Sequence, residues 1–274
     1  AGPLPVANDS TTAIAGEAAS VSLWRTGDNP TLRITGQMAQ GDSPRRLNLA
    51  VLNPAQQFAA ALEAAFRAQA IPVGQTVISQ NSAAITGAEL AALESPTLAE
   101  LVLWANQDSD NLSAEVLLKT LGVTAEDNVT EASQAGGEAV KGALAELGVD
   151  VTALRLRDGS GLSRHNLVSP EVLTATLQAM ATHPQAATFR RSLAIAGQSG
   201  TLRNRLSDTV LEGRVQGKSG ALTGNVSLSG YLQPPSYEPL VFSVIINHSN
   251  QHASVLRRKI DELLLLVAQL SDAC

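Results

Sequence analysis

A lysine and a serine stand between two glycines in Gly217-Lys218-Ser219-Gly220, so an amine, a hydroxyl and an open backbone could act together on one substrate. The pattern fits a phosphate-binding loop, a catalytic strand or a tight turn. A phosphate loop needs Gly, four residues and then Gly-Lys-Ser/Thr, with a helix following. Here Glu212 occupies the position of the first glycine, and the residues after Ser219 are typical of a turn and a strand. The spacing therefore argues against a phosphate loop.

A second group of polar residues, Ser109-Asp110-Asn111, precedes a predicted helix. Taken alone it is most simply an N-cap cluster, because Ser, Asp and Asn all accept hydrogen bonds from free helix N–H groups. It also matches the S-D-N element of serine acyl-transfer enzymes, and Lys218-Ser219-Gly220 matches their K-T-G element with Ser in place of Thr. The two elements occur in the required order. Their combination favours a catalytic site.

The elements that must position these residues form a mixed α and β pattern. Short alternating segments at 19–23 and 31–36 predict a small β element. Caps and helical spacing predict helices at 57–69, 98–106, 111–121, 131–147, 170–181 and 253–270. Alternation predicts strands at 154–157, 213–218, 225–233 and 240–247, and the apolar run of the last predicts a central strand. Helices, then antiparallel strands, then a covering helix predict an α+β fold.

With these motifs in place, the sequence resembles the penicillin-binding D-alanyl-D-alanine carboxypeptidases/endopeptidases of the class C low-molecular-mass type, which carry domains inserted in the catalytic fold. The resemblance covers about residue 54 to the end of the chain. The segments that carry it are 109–122, 158–170, 197–205, 217–224 and 228–232.

The resemblance implies a β-lactamase/DD-peptidase-like antiparallel sheet flanked by helices. It also implies two parts: residues 1–52 as the remnant of an inserted β domain, and residues 53–274 as the C-terminal portion of the catalytic domain. The implied activity is a serine-type D-Ala-D-Ala carboxypeptidase or endopeptidase acting through an acyl-enzyme. Peptidoglycan stem peptides are the implied substrates, β-lactams the inhibitors, and a periplasmic or extracytoplasmic site the location.

Three residues carry catalytic roles in this resemblance. Ser109 relays a proton towards the leaving amine, and Asn111 holds the substrate amide. Lys218 supplies positive charge, which keeps a neighbouring general-base lysine neutral and attracts the substrate's terminal carboxylate.

Three further residues are implied to bind substrate along the strand that follows. The Ser219 hydroxyl hydrogen-bonds the terminal carboxylate. Gly220 and Ala221 lie against the substrate backbone, and the Ala221 N–H is one oxyanion donor, a contribution worth about 3 kcal/mol in comparable sites.

The family's nucleophile, the Ser of S-x-x-K, is missing from this sequence. The chain has four lysines, and the residues three positions before them are Val116, Glu138, Val215 and Leu256. We therefore expect a C-terminal portion of such an enzyme, inactive alone, with the nucleophile on a separate N-terminal fragment or removed. The alternative is a non-catalytic module of the same fold that binds D-Ala-D-Ala peptides or a partner.

Composition excludes several other classes of protein. A net charge of −6 without a basic run argues against a nucleic-acid partner. The longest strongly apolar stretch, 263–268, is far shorter than the roughly 20 residues that span a bilayer. The single cysteine, Cys274, excludes an intrachain disulfide and a cysteine metal cluster. We expect neither a metal nor a cofactor, and the nucleotide-binding alternative fails with the phosphate loop.

Overall fold

The computed structural model describes residues 5–44, 46, 49–79, 87–89, 91–125 and 130–271, so Cys274 lies outside the described residues. The chain divides into two compact units, Ala1–Ala91 and Ala92–Cys274. The helix predicted after residue 54 belongs by its contacts to the first unit. The functional boundary expected between residues 52 and 53 stays a prediction.

The first unit contains the small β element that the sequence predicts. β4 lies between β1, to which it is parallel, and β3, to which it is antiparallel, while β2 pairs in parallel with β5. Its described, buried apolar side chains are those of Leu32 and Ala39, so the core of this unit is shallow. The strands are β1 (Val6–Asn8), β2 (Thr11–Ala13), β3 (Ser22–Trp24), β4 (Leu32–Thr35) and β5 (Gln37–Ala39).

Helix α1 (Pro54–Ala68) completes the first unit and confirms the predicted helix. The Asn53 side chain caps it by accepting from the Gln56 N–H at 3.0 Å, and Pro54 lies in the first turn, where no donor is needed. None of its residues is buried, and Phe58 is 70% exposed. The apolar face of α1 and the segment after it line a cavity of about 310 Å³.

The second unit contains six helices within the described residues. Five of them confirm predicted helices, and α6 was not predicted because it is short and has no N-cap side chain. Ser169 caps α5 from its side chain, and Pro170 occupies the first turn. The helices are α2 (Leu98–Leu103), α3 (Asn111–Ala125), α4 (Ala132–Glu146), α5 (Pro170–Thr182), α6 (Ala186–Ser192) and α7 (Ala253–Val267).

A four-stranded antiparallel sheet, in the order β6-β7-β8-β9, forms the centre of the second unit. A hairpin joins β7 to β8 through Thr223 and Gly224, and the φ of +79° at Gly224 suits glycine. β7 continues through Lys218 to Leu222, past the strand end predicted from the sequence. The strands are β6 (Ala194–Ile195), β7 (Val215–Leu222), β8 (Asn225–Leu232) and β9 (Leu240–Ile246).

Both faces of this sheet are covered. On one face the aliphatic side chains of β8, among them Leu228 and Leu232, pack against Ile260 and Leu264 of α7. On the other face Tyr231 packs with Leu177 of α5 and donates its hydroxyl to the Leu177 carbonyl at 2.7 Å. The helix-flanked antiparallel sheet confirms the predicted α+β class.

Two strand predictions were wrong. Residues 154–157 form no strand, only a single bridge between Arg155 and Leu167. The alternation there arises because Leu154 and Leu156 pack into a local core with Val149 while the arginines point outward. β9 was predicted to be central but lies at the edge of the described sheet, and its apolar run reflects packing on both of its faces.

Candidate active site

Ser109 lies on a distorted turn between two helices. The chain leaves α2 through a π-helical turn, Trp104–Asp108, and α3 begins at Asn111. Between them Ser109 has φ 56° and ψ 44°, in the left-handed region that non-glycine residues rarely adopt. Strained backbone of this kind clusters at functional sites.

The turn that carries Ser109 is held from both sides. Towards α6, the Asn106 side chain donates to Ser192 Oγ at 2.7 Å, and Gln107 Nε2 donates to the Leu193 carbonyl at 3.3 Å. Towards α3, Asp110 accepts from the Ser113 N–H at 2.7 Å, and hydrogen bonds from Ser113 lower the pKa of the Asp110 carboxyl. The capping role that the sequence suggested for this cluster therefore belongs to Asp110, which leaves the exposed Ser109 hydroxyl available for other contacts.

Lys218 joins the two motifs. Its Nζ donates to Ser109 Oγ at 2.9 Å and to the Ser219 carbonyl at 2.7 Å. Burial lowers the pKa of Lys218. Among the described residues the ion pairs are Arg33–Asp9, Lys141–Glu138, Arg205–Asp261 and Lys259–Glu262, so Lys218 has no carboxylate partner there. A partly desolvated cation without a counter-charge favours binding of an anion.

The glycines beside Lys218 permit close packing of β7 on β8. A Cβ at Gly217 would lie 2.7 Å from the Ser229 carbonyl oxygen, and one at Gly220 would lie 2.6 Å from Ser227 Oγ. Neither glycine has a positive φ. The Gly-Lys-Ser-Gly segment is therefore neither a tight turn nor a phosphate loop: it is the middle of an antiparallel strand.

One edge of β7 is open beyond Gly217. β6 pairs only with Gln216 and Gly217, so residues 218–222 have no described strand on that side. An extended peptide could add to such an edge by backbone hydrogen bonds. Ala221, which was predicted to line the substrate strand, is exposed there and also lies at a cavity of about 700 Å³ between the β7–β8 hairpin and the start of α7.

Asn111 is the first residue of α3, and its exposed side chain makes no hydrogen bond to any described residue. The structure thus joins the side chains of Ser109 and Lys218 by a hydrogen bond, ties Lys218 to the Ser219 backbone carbonyl, and puts Asn111 two residues from Ser109. The catalytic and substrate-binding roles expected for these residues stay predictions.

The loop 158–166 links the two motif-bearing elements. Glu115 of α3 accepts from Ser160 Oγ at 2.7 Å, while Arg164 Nη2 donates to the Thr223 carbonyl of the hairpin at 3.0 Å. Burial raises the pKa of Glu115, but hydrogen bonds from Ser160 and Gly159 outweigh it, so the pKa is lowered overall. Inside the loop, Asp158 accepts from the Ser163 N–H at 2.6 Å.

A partly buried ion pair fixes the segment 197–205 to α7. Arg205 Nη2 lies 2.6 Å from Asp261 Oδ1, and the two side chains are 10% and 18% exposed. The same segment carries Thr201, whose Oγ1 accepts from Ser219 Oγ at 2.8 Å.

Sequence reasoning did not single out Thr201, Gln107 or Ser192. Their roles depend on contacts between distant parts of the chain, such as the 18 positions between Thr201 and Ser219. The available signal was the segment 197–205, which resembled a stretch of the family without pointing to one residue.

The described residues contain no group of three or more His, Cys, Asp or Glu side chains that could hold a metal ion. Within the same ranges, every helix falls short of the length and apolar character that a membrane crossing requires. The expectation that no metal or cofactor takes part stays a prediction.

The chain has a fold that a penicillin-binding protein and a β-lactamase share. The crystal structure of penicillin binding protein 4 (dacB) from Haemophilus influenzae, complexed with a β-lactam, superposes with a TM-score of 0.76 and 26% identity over 98% of this chain and 64% of that one. The TLA-3 extended-spectrum β-lactamase shares the fold, with a TM-score of 0.50 and 16% identity over 63% of this chain and 64% of that one.

Residues 5–267 match the model of the D-Ala-D-Ala carboxypeptidase 3 (S13) family, and the chain belongs to that family. A D-alanyl-D-alanine carboxypeptidase of an Actinomadura species is 35% identical over 248 residues, which are 88% of this chain and 45% of the relative. The D-alanyl-D-alanine carboxypeptidase DacB of Haemophilus influenzae is 30% identical over 80% of this chain and 46% of its own length. The chain spans about half the length of these relatives.

Proposed function

We propose that this chain supplies the substrate-binding and proton-relay half of a serine-type D-Ala-D-Ala carboxypeptidase or endopeptidase. The observation that carries the proposal is the 2.9 Å hydrogen bond from Lys218 Nζ to Ser109 Oγ, because it joins the S-D-N and K-S-G motifs into one site. Membership of the S13 family supports the activity.

In the proposed site the substrate is the D-Ala-D-Ala end of a peptidoglycan stem peptide, lying along the open edge of β7. Its terminal carboxylate accepts a hydrogen bond from Ser219 and is attracted by the Lys218 ammonium. Asn111 holds the substrate amide. Ala221 offers its backbone N–H to the carbonyl oxygen on which negative charge develops during attack.

The chemical step needs a serine nucleophile that forms an ester with the penultimate D-Ala carbonyl carbon as the C–N bond to the last D-Ala breaks. Ser109, hydrogen-bonded to Lys218, passes a proton to the departing amine. Water or another amine then takes the acyl group. Since no lysine of this sequence has a serine three positions before it, we propose that an S-x-x-K segment outside these 274 residues supplies the nucleophile.

The same site explains how β-lactams would act on the assembled enzyme: the β-lactam carboxylate takes the place of the D-Ala carboxylate. The H. influenzae relative was crystallised with a β-lactam. We place the protein on the extracytoplasmic side of the membrane, where peptidoglycan is. In this proposal residues 53–274 are the catalytic-domain portion and residues 1–52 the remnant of an inserted domain.

A second candidate is a non-catalytic module that binds D-Ala-D-Ala peptides or a partner reversibly. One observation favours it: the groups proposed to bind the carboxylate, Lys218 and Ser219, are both within the chain, whereas the S-x-x-K motif is not. Such a module would never form a covalent bond to substrate or penicillin.

Labelling with a fluorescent penicillin separates the two candidates. We expect no label on this chain alone, and label on an added N-terminal segment that carries S-x-x-K, with the Lys218→Ala variant labelling at least about tenfold more slowly. A gene sequence without any upstream S-x-x-K, or no labelling in the mixture, would favour the binding module. Covalent label on this chain alone would contradict the proposal that the nucleophile lies outside these 274 residues.

A further inference from the structure

Thr201 extends the row of hydroxyl groups at the site. It lies on a short 3₁₀ turn, Gly200–Leu202, and its Oγ1 accepts from Ser219 Oγ at 2.8 Å. Because Ser219 is the donor, the Thr201 hydroxyl keeps its own hydrogen, and that hydrogen has no acceptor among the described residues. The Thr201 side chain is exposed, so this hydrogen is free to bind a ligand.

The turn holds Thr201 in a fixed place. Gly200, with φ +55°, approaches the turn before Ser109 so closely that a Cβ there would lie 2.6 Å from the Gln107 carbonyl oxygen. On the other side Leu202 is completely buried in the core beneath β7 and β8. Thr201 lies between these two anchors, so its position is set relative to both Ser109 and β7.

The surroundings of the two hydroxyls favour an anion. Lys218, the residue before Ser219, is a half-buried amine without a carboxylate partner among the described residues. Two hydroxyl oxygens 2.8 Å apart are close enough for their hydrogens to reach both oxygens of one carboxylate. Hydrogen bonds to a charged group are stronger than those between neutral groups.

We infer that Thr201 is the second hydroxyl of the carboxylate site, an inference that rests on the proposed function. When the substrate's terminal carboxylate binds, Thr201 donates to one oxygen and Ser219, released from Thr201, donates to the other. Lys218 provides the charge. Thr201 is thus a specificity-determining residue that selects peptides with a free C-terminal carboxylate.

The test compares two probes on the chain as it exists: N-acetyl-D-Ala-D-Ala and the same dipeptide with a C-terminal amide. Titrations of the isotope-labelled chain, followed by NMR, give a Kd for each. The variants are Thr201→Val, which keeps the shape without the hydroxyl, Thr201→Ser, which keeps the hydroxyl, and Ser219→Ala. Thr182→Val is the matched control, because Thr182 is also exposed but lies at the end of α5.

We expect Thr201→Val to raise the Kd of the carboxylate peptide by about tenfold while leaving the Kd of the amide within about twofold. Thr201→Ser should restore the wild-type preference, and Thr182→Val should leave both values unchanged. If Thr201 had a purely structural role, Thr201→Val would weaken the binding of both peptides equally, and this result would overturn the inference. An unchanged preference in Thr201→Val would overturn it as well.

The failure of the inference is distinguishable from that of the proposed function. If the wild-type chain prefers the carboxylate peptide and Ser219→Ala removes the preference, the carboxylate site stands whatever Thr201→Val does. If the wild-type chain binds both peptides equally or neither, the carboxylate site itself is wrong, and the inference about Thr201 falls with it.

Discussion

The two units of this chain differ in their internal packing. The second unit has a sheet with helices on both faces and fully buried side chains such as Leu228 and Leu264. The first unit has strands of three or four residues, a shallow core, and a helix without a buried residue. All the residues of the candidate site lie in the second unit.

This difference shows what a catalytic site needs from its surroundings. Ser109 and Lys218 are far apart in sequence, and only a rigid core can hold two such elements within 2.9 Å of each other. The described part of the first unit, with Phe58 70% exposed and a 310 Å³ cavity along α1, has no comparable framework.

The largest expected effect is in the core of the second unit. Leu228→Ala leaves a cavity at a fully buried position opposite Ser219, and should lower the free energy of unfolding by about 3 kcal/mol. Phe58→Ala on α1 should change it by less than about 0.5 kcal/mol. Denaturant unfolding followed by tryptophan fluorescence checks both.

The two tryptophans make this measurement specific to each unit. Trp24 lies on β3 of the first unit and Trp104 on the turn before Ser109 in the second. In a Trp24→Phe background the signal reports the second unit alone, and in a Trp104→Phe background it reports the first unit alone. Equal losses from Leu228→Ala and Phe58→Ala would contradict the difference between the two cores.

A smaller contrast concerns ion pairs. Asp261→Asn removes the charge that balances Arg205, whose side chain is 10% exposed, and should cost about 2 kcal/mol because a partly buried charge is left unpaired. Asp9→Asn, in an exposed pair with Arg33, should cost less than about 1 kcal/mol. Thermal unfolding of both variants at one pH gives the comparison, and a similar shift in the two midpoints would refute it.

Burial of the Lys218 charge should lower the free energy of unfolding of the chain. Burial lowers the pKa of Lys218 in the folded chain, so in the pH range between that lowered value and the ordinary lysine pKa of about 10.4 the unfolded chain binds more protons. Stability from this group therefore rises with pH in that range.

We expect Lys218→Met to be more stable than the wild type at pH 7. The increase in the free energy of unfolding should be smaller than the decrease expected for Asp261→Asn. The difference should narrow as the pH approaches 10. Unfolding curves between pH 7 and pH 10 measure it, with Lys119→Met, at an exposed helix position, as the control. A constant difference across this range would show that burial of the charge is not the cause.

The smallest effect is expected at the loop between the motifs. Arg164→Ala removes one exposed hydrogen bond to the Thr223 carbonyl and should cost less than about 1 kcal/mol of stability. Amide hydrogen exchange at the β7–β8 hairpin should nevertheless become faster, because the hairpin loses its contact with the loop. Arg157→Ala, an exposed arginine near the start of the same loop, is the control and should leave the hairpin unchanged.

Much of the fold was predictable because its signals are local. The cap and first-turn proline before α5 and the alternation in β8 each depend on neighbouring residues, and the helix and the strand predicted from them were confirmed. The position of β9 was not predictable, because an apolar run does not distinguish a central strand from an edge strand packed on both faces. The short helix α6 was not predictable either, because no side chain caps its N-terminus.

The residues of the candidate site also divide into those with a local sequence signal and those without one. Ser109, Asn111 and Lys218 belong to short motifs that can be read along the chain, and the 2.9 Å contact is consistent with the grouping they predicted. Thr201 could not be found, because its contact with Ser219 depends on the approach of Gly200 to the Gln107 carbonyl. Such a contact exists only after folding, so it leaves no periodicity or motif in the sequence.

The edge position of β9 has a consequence for handling the chain. The segment Leu240–Ile246 contains no charged residue and no proline, and one of its edges pairs with no described strand. Unprotected apolar edges of this kind recruit strands from other molecules. We therefore expect concentrated solutions of this chain to self-associate, with light scattering that grows with concentration and falls when a β9-pairing peptide is added.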